Sequence, residues 1–174
     1  MPQYPQWRHY PLWRSPAPWV EDLLGVILTA QETISSAVAH QKSNLVLRQL
    51  QPGLEAIGFD VEGDGRKLPR PVLYGDEGTV VKAFNVDAFR STDGIALEVE
   101  SGGAVYNNRV ILDLVKMSLG VDVRFGAILV PVDYTTEQKV WHKPYPEAVK
   151  LFDAMFANPE RFRLPLEGLL LIGY

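Results

Sequence analysis

The sequence predicts an α/β domain in which a mixed β-sheet, mainly antiparallel in its core, is flanked by helices. Three observations carry this. Residues 85–109, NVDAFRSTDGIALEVESGGAVYNNR, hold two alternating apolar and polar runs around a turn, the pattern of a β-hairpin. Residues 124–131, RFGAILVP, form a continuous apolar run of the kind found in strands buried on both faces. Around them lie stretches with apolar residues at helical spacing.

Taken in order, residues 1–19 hold five prolines, three of the four tryptophans and two arginines without helical or strand periodicity, so an extended arm is expected. It lies over its own domain, anchored by Trp7, Trp13 and Trp19, or reaches a partner or nucleic acid with Arg8 and Arg14 on phosphates. Residues 20–174 are expected to form a single domain. Leu23, Leu24, Ile27, Ile34 and Val38 place a helix from Val20 to about Ala39. Ser43 is expected to cap a second helix carrying Leu47, Leu50, Leu54 and Ile57, which Pro52 and Gly53 should kink or split. Residues 59–63 read as a short strand. Residues 63–78 read as a Gly- and Pro-punctuated excursion, in which Arg66, Lys67 and Arg70 form a basic cluster able to hold phosphate.

After the hairpin, Gly102 and Gly103 break the strand, and a helix is expected from Tyr106 to Leu119 with Val110, Ile111, Leu114, Val115 and Met117 as its apolar surface. Tyr106, Asn107, Asn108 and Arg109 would lie in its first turn, where free backbone N–H groups favour a phosphate, although Asn is also an ordinary cap there. Residues 124–131 should be a central strand. A loop from Asp133 to Pro144 leads to a helix over Pro146 to Phe156 with Ala148, Leu151, Phe152 and Met155 inward. The end, LPLEGLLLIGY, is apolar enough for a last strand or a subunit contact.

The hairpin carries the chemistry. If Ser91, Thr92, Asp93 and Gly94 all form its turn, Arg90 faces Ile95 and Asp87 faces Glu98; if only Asp93 and Gly94 do, Asp87 faces Glu100. In either register the period of two puts Asp87, Glu98 and Glu100 on one face and Phe84, Val86, Ala88, Ile95, Leu97 and Val99 on the other. Like charges on opposed strands repel, and no Lys or Arg alternates with these acids. Hard oxygen donors of this kind suit Mg²⁺ or Mn²⁺.

Composition narrows the alternatives. With no cysteine there is no disulfide framework, thiolate zinc site or cysteine nucleophile. A net charge of −4 argues against coating nucleic acid through bulk electrostatics but not against a local basic patch. No apolar run reaches the length of a membrane span and no secretory signal pattern opens the chain, so a soluble, cytoplasmic protein is expected. P-loop, GxGxxG, HExxH and GxSxG motifs are missing, and His9, His40 and His142 lie far apart in sequence.

A strand Asp, a turn, a strand carrying Glu-x-Glu, a short Gly loop and a helix resemble, over roughly residues 43–131, the core of the PD-(D/E)XK nucleases. Asp87 matches the motif Asp and Glu98 the second acid. Glu100 stands at the usual Lys position, as in the BamHI branch of the type II restriction endonucleases, and Val86 replaces the Pro that often precedes the Asp. The resemblance implies a restriction-endonuclease-like fold and Mg²⁺- or Mn²⁺-dependent hydrolysis of DNA, with Asp87, Glu98 and Glu100 catalytic and Asp87 and Glu98 holding metal. It adds Glu55, on the helix before the first core strand, as a further metal ligand. It also brings Arg109 and Lys116 near the site, Lys116 as a possible displaced lysine. Arg66, Lys67, Arg70, Asn108, Arg109 and Lys116 are the expected nucleic-acid contacts, and a homodimer joined through the helix after the motif or the C-terminal tail would cut both strands. The alternatives are a nuclease-like interaction subunit that no longer cleaves and an acidic-faced structural protein.

Overall fold

A computed structural model describes residues 5–36, 41–135 and 141–174. The chain runs β1 (Gln6–Tyr10), α1 (Trp19–Ile34), α2 (Ser43–Ala56), β2 (Asp60–Val61), β3 (Pro69–Tyr74), a 3₁₀ turn (Asp76–Gly78), β4 (Val80–Asn85), β5 (Ala88–Arg90), β6 (Ile95–Val99), α3 (Arg109–Leu119), β7 (Phe125–Val130), β8 (Tyr134–Thr135), β9 (Trp141–His142), α4 (Pro144–Phe156) and β10 (Gly168–Gly173).

Six strands form the main sheet in the order β1-β10-β7-β6-β5-β2. Its centre is parallel: β10 pairs with β7 and β7 with β6, while β1, β5 and β2 add antiparallel strands at the flanks. The expected mainly antiparallel core is corrected here. Helix α3 lies between β6 and β7, and α4 between β7 and β10, and a crossover helix returns the chain to the end where the strand began, so the two strands align.

Both faces are covered. Leu23, Ile27, Leu50 and Leu54 of α1 and α2 pack on Leu97, Val99, Ala127, Leu129, Leu170 and Ile172. Val110, Leu114, Met117 and Phe152 of α3 and α4 pack on Ala96, Ile128, Val130, Leu169 and Leu171. Alternate residues of β7 and β10 thus enter opposite cores, which is why these strands read as unbroken apolar runs.

Several local expectations change. Helix α1 ends at Ile34, and Val38, Ala39 and His40 lie outside the described residues. Helix α2 passes through Pro52 to Ala56 without splitting, with Pro52 on its exposed side; its N-cap is Lys42, and no side chain caps it. Part of the basic excursion, Pro69–Tyr74 with Arg70, is one strand of a second hairpin, β3–β4, and Arg66 and Lys67 precede it. Phe84 belongs to that hairpin, and Val86 packs in the α3–α4 core, because the chain turns between β4 and β5 and the alternation does not carry across.

The proline-rich start is not without strand structure: Gln6–Tyr10 pairs antiparallel with β10 as the sheet's edge. Tyr10 and Trp19 are buried, whereas Trp7 and Trp13 are 45% and 69% exposed, so of the three tryptophans expected as anchors only Trp19 is enclosed. Arg8 grips Asp153 of α4 with two hydrogen bonds, at 2.9 and 2.8 Å, and Arg14 donates to the Glu167 carbonyl at 3.1 Å. Of the two readings of the C-terminal tail, the structure shows the strand. β10 is buried between β1 and β7 and leaves no free face for a subunit contact.

Gly94 closes the β5–β6 turn at φ +69°, where L side chains are strained, and its carbonyl accepts the N–H groups of Arg124 and Phe125 at 2.7 and 3.0 Å. A Cβ there would sit 2.7 Å from the Asp122 carbonyl oxygen. We therefore expect Gly94→Ala to destabilise the protein by about 1–3 kcal/mol or more, read as a lower urea midpoint at unchanged slope.

Candidate active site

The hairpin adopts the four-residue turn. Arg90 pairs with Ile95 and Ala88 with Leu97, so Asp87 falls opposite Glu98. Ala88, Ile95, Leu97 and Val99 enter the α1–α2 core, which leaves Asp87, Glu98 and Glu100 on the α3 face. Asp87 is tied to the neighbouring strand: its Oδ2 accepts the Val99 N–H at 2.7 Å. Glu100 lies just past β6, where its N–H donates to the Leu129 carbonyl and its own carbonyl accepts the Tyr174 hydroxyl, both at 2.8 Å.

Helix α3 adds three groups from above. Asp113 is 1% exposed, and Lys116, one turn on, brings its Nζ to 2.8 Å from Asp113 Oδ1 and 3.7 Å from Glu98 Oε1. Arg109, at the helix start and largely exposed, holds its Nε 3.9 Å from Glu100 Oε2. Asp113 was not anticipated. A signal was present: it stands three residues after Val110 and four before Met117, inside the stripe that had to face the sheet, where an unpaired Asp is costly.

Burial dominates the electrostatics. Glu98 is pushed up to about 9 by desolvation, then by the charges of Asp87 and Asp113. Asp87 rises to about 6 by desolvation, against the stabilising Val99 N–H. Glu100 also rises, through burial and then Asp113. Burial alone would lower Lys116, but its hydrogen bond to Asp113 and the charges of Glu98, Asp113 and Asp87 outweigh it and the net direction is upward. Glu98 Oε1 and Asp113 Oδ2 are buried without a hydrogen-bond partner. These orphaned oxygens and the all-oxygen donor set fit a hard divalent cation in chemistry. The spacing is looser, since among the described residues no three His, Cys, Asp or Glu side chains stand close enough together to hold a metal ion as they are.

Other expected residues fall elsewhere. Glu55 is exposed on α2, which packs on the opposite face of the sheet, and accepts a hydrogen bond from Gln51 at 2.8 Å, so it does not join the acids. The further acid near Asp87 is instead Glu62, just past β2, whose N–H donates to the Asp87 carbonyl at 2.7 Å and whose charge raises Asp87. The basic cluster is paired: Arg66 with Asp60 at 2.7 Å, Lys67 with Glu62, and Arg70 with Asp122 at 2.8 Å and over the Phe89 ring at 4.1 Å. Helix α3 begins at Arg109, so Tyr106, Asn107 and Asn108 precede its first turn. Asn108 is the N-cap in a left-handed conformation, φ +53°, without a side-chain capping bond.

A parallel three-strand centre, an antiparallel hairpin carrying the acids and helices over both faces make up a restriction-endonuclease-like α/β core. Residues 4–174 match the family model described as "Putative halobacteria restriction endonuclease", and the chain belongs to that family. No curated protein matched the chain. Among the described residues no helix is long and apolar enough to cross a membrane.

The buried acids set a pH dependence. A carboxyl whose pKa is higher folded than unfolded binds more protons in the native state between the two values, so stability falls as pH rises through that window. For Glu98 the window runs from its ordinary value of 4.5 to about 9. In metal-free protein, Glu98→Gln is expected to melt close to the unmutated chain at pH 5.5 and above it at pH 8.5. Equal differences at both pH values would show that Glu98 is not held neutral by the fold.

Proposed function

We propose that the chain is a metal-dependent endonuclease that hydrolyses phosphodiester bonds of DNA at Asp87, Glu98 and Glu100. The observation that supports this most is the gathering of buried Glu98, Glu100 and Asp113 with half-buried Asp87 on one face of the sheet, with Lys116 reaching in among them. The family's name points to DNA as the substrate. Magnesium or manganese held by Asp87 and Glu98 would, when bound, polarise the scissile phosphate and lower the pKa of a water. Glu100, which faces the exposed Arg109, would orient the attacking water and take its proton. Lys116 stands where it can supply the positive charge that Glu100 cannot, and the exposed Arg109 guanidinium is placed for a phosphate oxygen.

One acid cluster per chain serves one strand at a time, so cutting a duplex through would take two copies. With the C-terminal strand used internally, the contact left from the sequence reading is α3, where Leu112, Val115 and Leu119 are exposed.

A second reading, an inactive nuclease-like interaction subunit, is favoured by one observation: no three donors are gathered for a metal among the described residues. Two measurements separate the readings. If the acids are a metal site, millimolar Mg²⁺ or Mn²⁺ raises the melting temperature by mass action and Asp87→Asn abolishes the rise. In a cleavage screen, Asp87→Ala and Glu98→Ala should each lose activity by about a thousandfold and Glu100→Gln by about a hundred- to ten-thousandfold, while DNA binding persists through separate phosphate contacts. Binding without cleavage of any DNA in either metal would establish the interaction subunit.

A further inference from the structure

We propose that Tyr106, Trp141, His142 and Lys143 form a stacking ledge beside the acid cluster that holds an unpaired base of the DNA strand presented for cleavage; the ledge rests on the nuclease reading for the position of the phosphate.

The ledge is built from two segments fastened together. Gly102, in the loop between β6 and α3, lies so close to the Tyr134 ring of β8 that any Cβ there would collide with it. In the β8–β9 hairpin Tyr134 pairs with His142 and Thr135 with Trp141, which carries β9 alongside the same loop. The Tyr106 ring meets His142 edge-on, centroids 4.2 Å apart and planes at 67°. Lys143 then places its Nζ 4.8 Å from the centre of the Trp141 ring. Tyr106 lies three residues before Arg109, whose guanidinium reaches Glu100, so the rings sit on and against the segment that joins the acid strand to α3.

Its exposure argues for a ligand. Trp141 and Tyr106 are 62% and 60% exposed, a large aromatic area turned to water, Tyr106 on the loop that follows Glu100 and Trp141 on the hairpin packed against that loop. The chemistry of that ligand follows from what the rings offer. A DNA duplex presents base edges in its grooves and phosphates along its backbone, with the base faces hidden in the stack. Aromatic rings with open faces take up base faces instead, and only an unstacked nucleotide provides one. Lys143 and Arg109 supply charge for the flanking phosphates. Among the described residues Lys143 has no carboxylate partner, whereas Arg66, Lys67 and Arg70 each have one. The substrate class is therefore DNA with an unpaired nucleotide at the cleavage point, such as a strand end, gap or flap.

The test uses the full chain carrying Asp87→Asn, so that binding is read without cutting, with a labelled oligothymidine strand and a blunt duplex followed by fluorescence anisotropy. Trp141→Ala and Tyr106→Ala should each weaken binding of the single strand by about five- to a hundredfold and leave the duplex within about twofold. Trp141 is exposed and its loss should leave the fold untouched; because Tyr106 also packs on His142, an unchanged melting temperature of Tyr106→Ala is the check that its effect is on binding. Trp141→Phe should keep most of the affinity, because a ring remains. Trp13→Ala serves as control: Trp13 is equally exposed but lines a cavity with Leu166 and Glu167, at the end of the parallel strands opposite the acids. Unchanged single-strand binding in Trp141→Ala, an equal loss in Trp13→Ala, or Trp141→Phe no better than Trp141→Ala would each overturn the ledge. Duplex cleavage by the unmutated chain together with normal single-strand binding by the ledge variants would sink the ledge and leave the nuclease standing. Ledge-dependent binding with no cleavage of any DNA would do the reverse.

Discussion

Three buried carboxylates, Glu98, Glu100 and Asp113, with the half-buried Asp87 beside them and one lysine reaching in, are the constraint on which the rest of this structure depends. In water each would be ionised at neutral pH; under α3 desolvation and mutual repulsion raise Asp87, Glu98 and Glu100 above their ordinary range. Such a cluster persists only if the surrounding fold resists relaxing it. The means are visible: β6 lies between β5 and β7, Asp87 is pinned to the Val99 N–H, and Glu100 is held through its backbone by Leu129 and Tyr174. Rigid backbone on both sides keeps apart groups that would otherwise turn to solvent.

That requirement accounts for the architecture around the site. A hairpin alone is marginal in water, and an open acidic face would be hydrated and electrostatically weak. Here β6 is also the flank of a parallel core whose two faces are both filled, so the acids are at once fixed and partly dehydrated. Low effective polarity makes each remaining charge count for more. The shift of Lys116 illustrates it: its burial would favour the neutral amine, and the surrounding acids reverse the sign.

Much of this was legible from residues alone, and the failures share a cause. The alternation in residues 87–100 marks the hairpin and the shared face of three acids, and the run at 124–131 marks the buried central strand, because both patterns report burial directly. Expectations that needed tertiary context fared worse. Glu55 is on a helix, but which face of the sheet that helix covers is not written in its own spacing. Arg66, Lys67 and Arg70 formed a patch in sequence, while their partners Asp60 and Asp122 come from other elements, and Glu62 sits a few residues before Lys67. The edge strand at Gln6–Tyr10 lacks an apolar alternation because only its end, His9 and Tyr10, is buried, while Gln6, Trp7 and Arg8 remain at least partly open to solvent. The parallel centre follows from the helices that lie between the strands concerned, and the antiparallel pairing of the hairpin carries no information about it.

The position of Asp113 shows how the site and the core are one construction. Arg109, Asp113 and Lys116 follow one another at spacings of four and three, so they form a single stripe along α3. Val110, Leu114 and Met117 form the adjacent stripe, fully buried against the sheet. One rigid element therefore delivers an acid and two cations to the strand carboxylates, with the apolar stripe setting its depth and rotation. A shift of α3 would move all three charges together, changing the distance from Lys116 to Glu98 and from Arg109 to Glu100 at once. The charge balance of the acid cluster is in this sense a consequence of helix packing. Changes at Leu114 or Met117, which carry no charge, therefore reach the site through the position of α3.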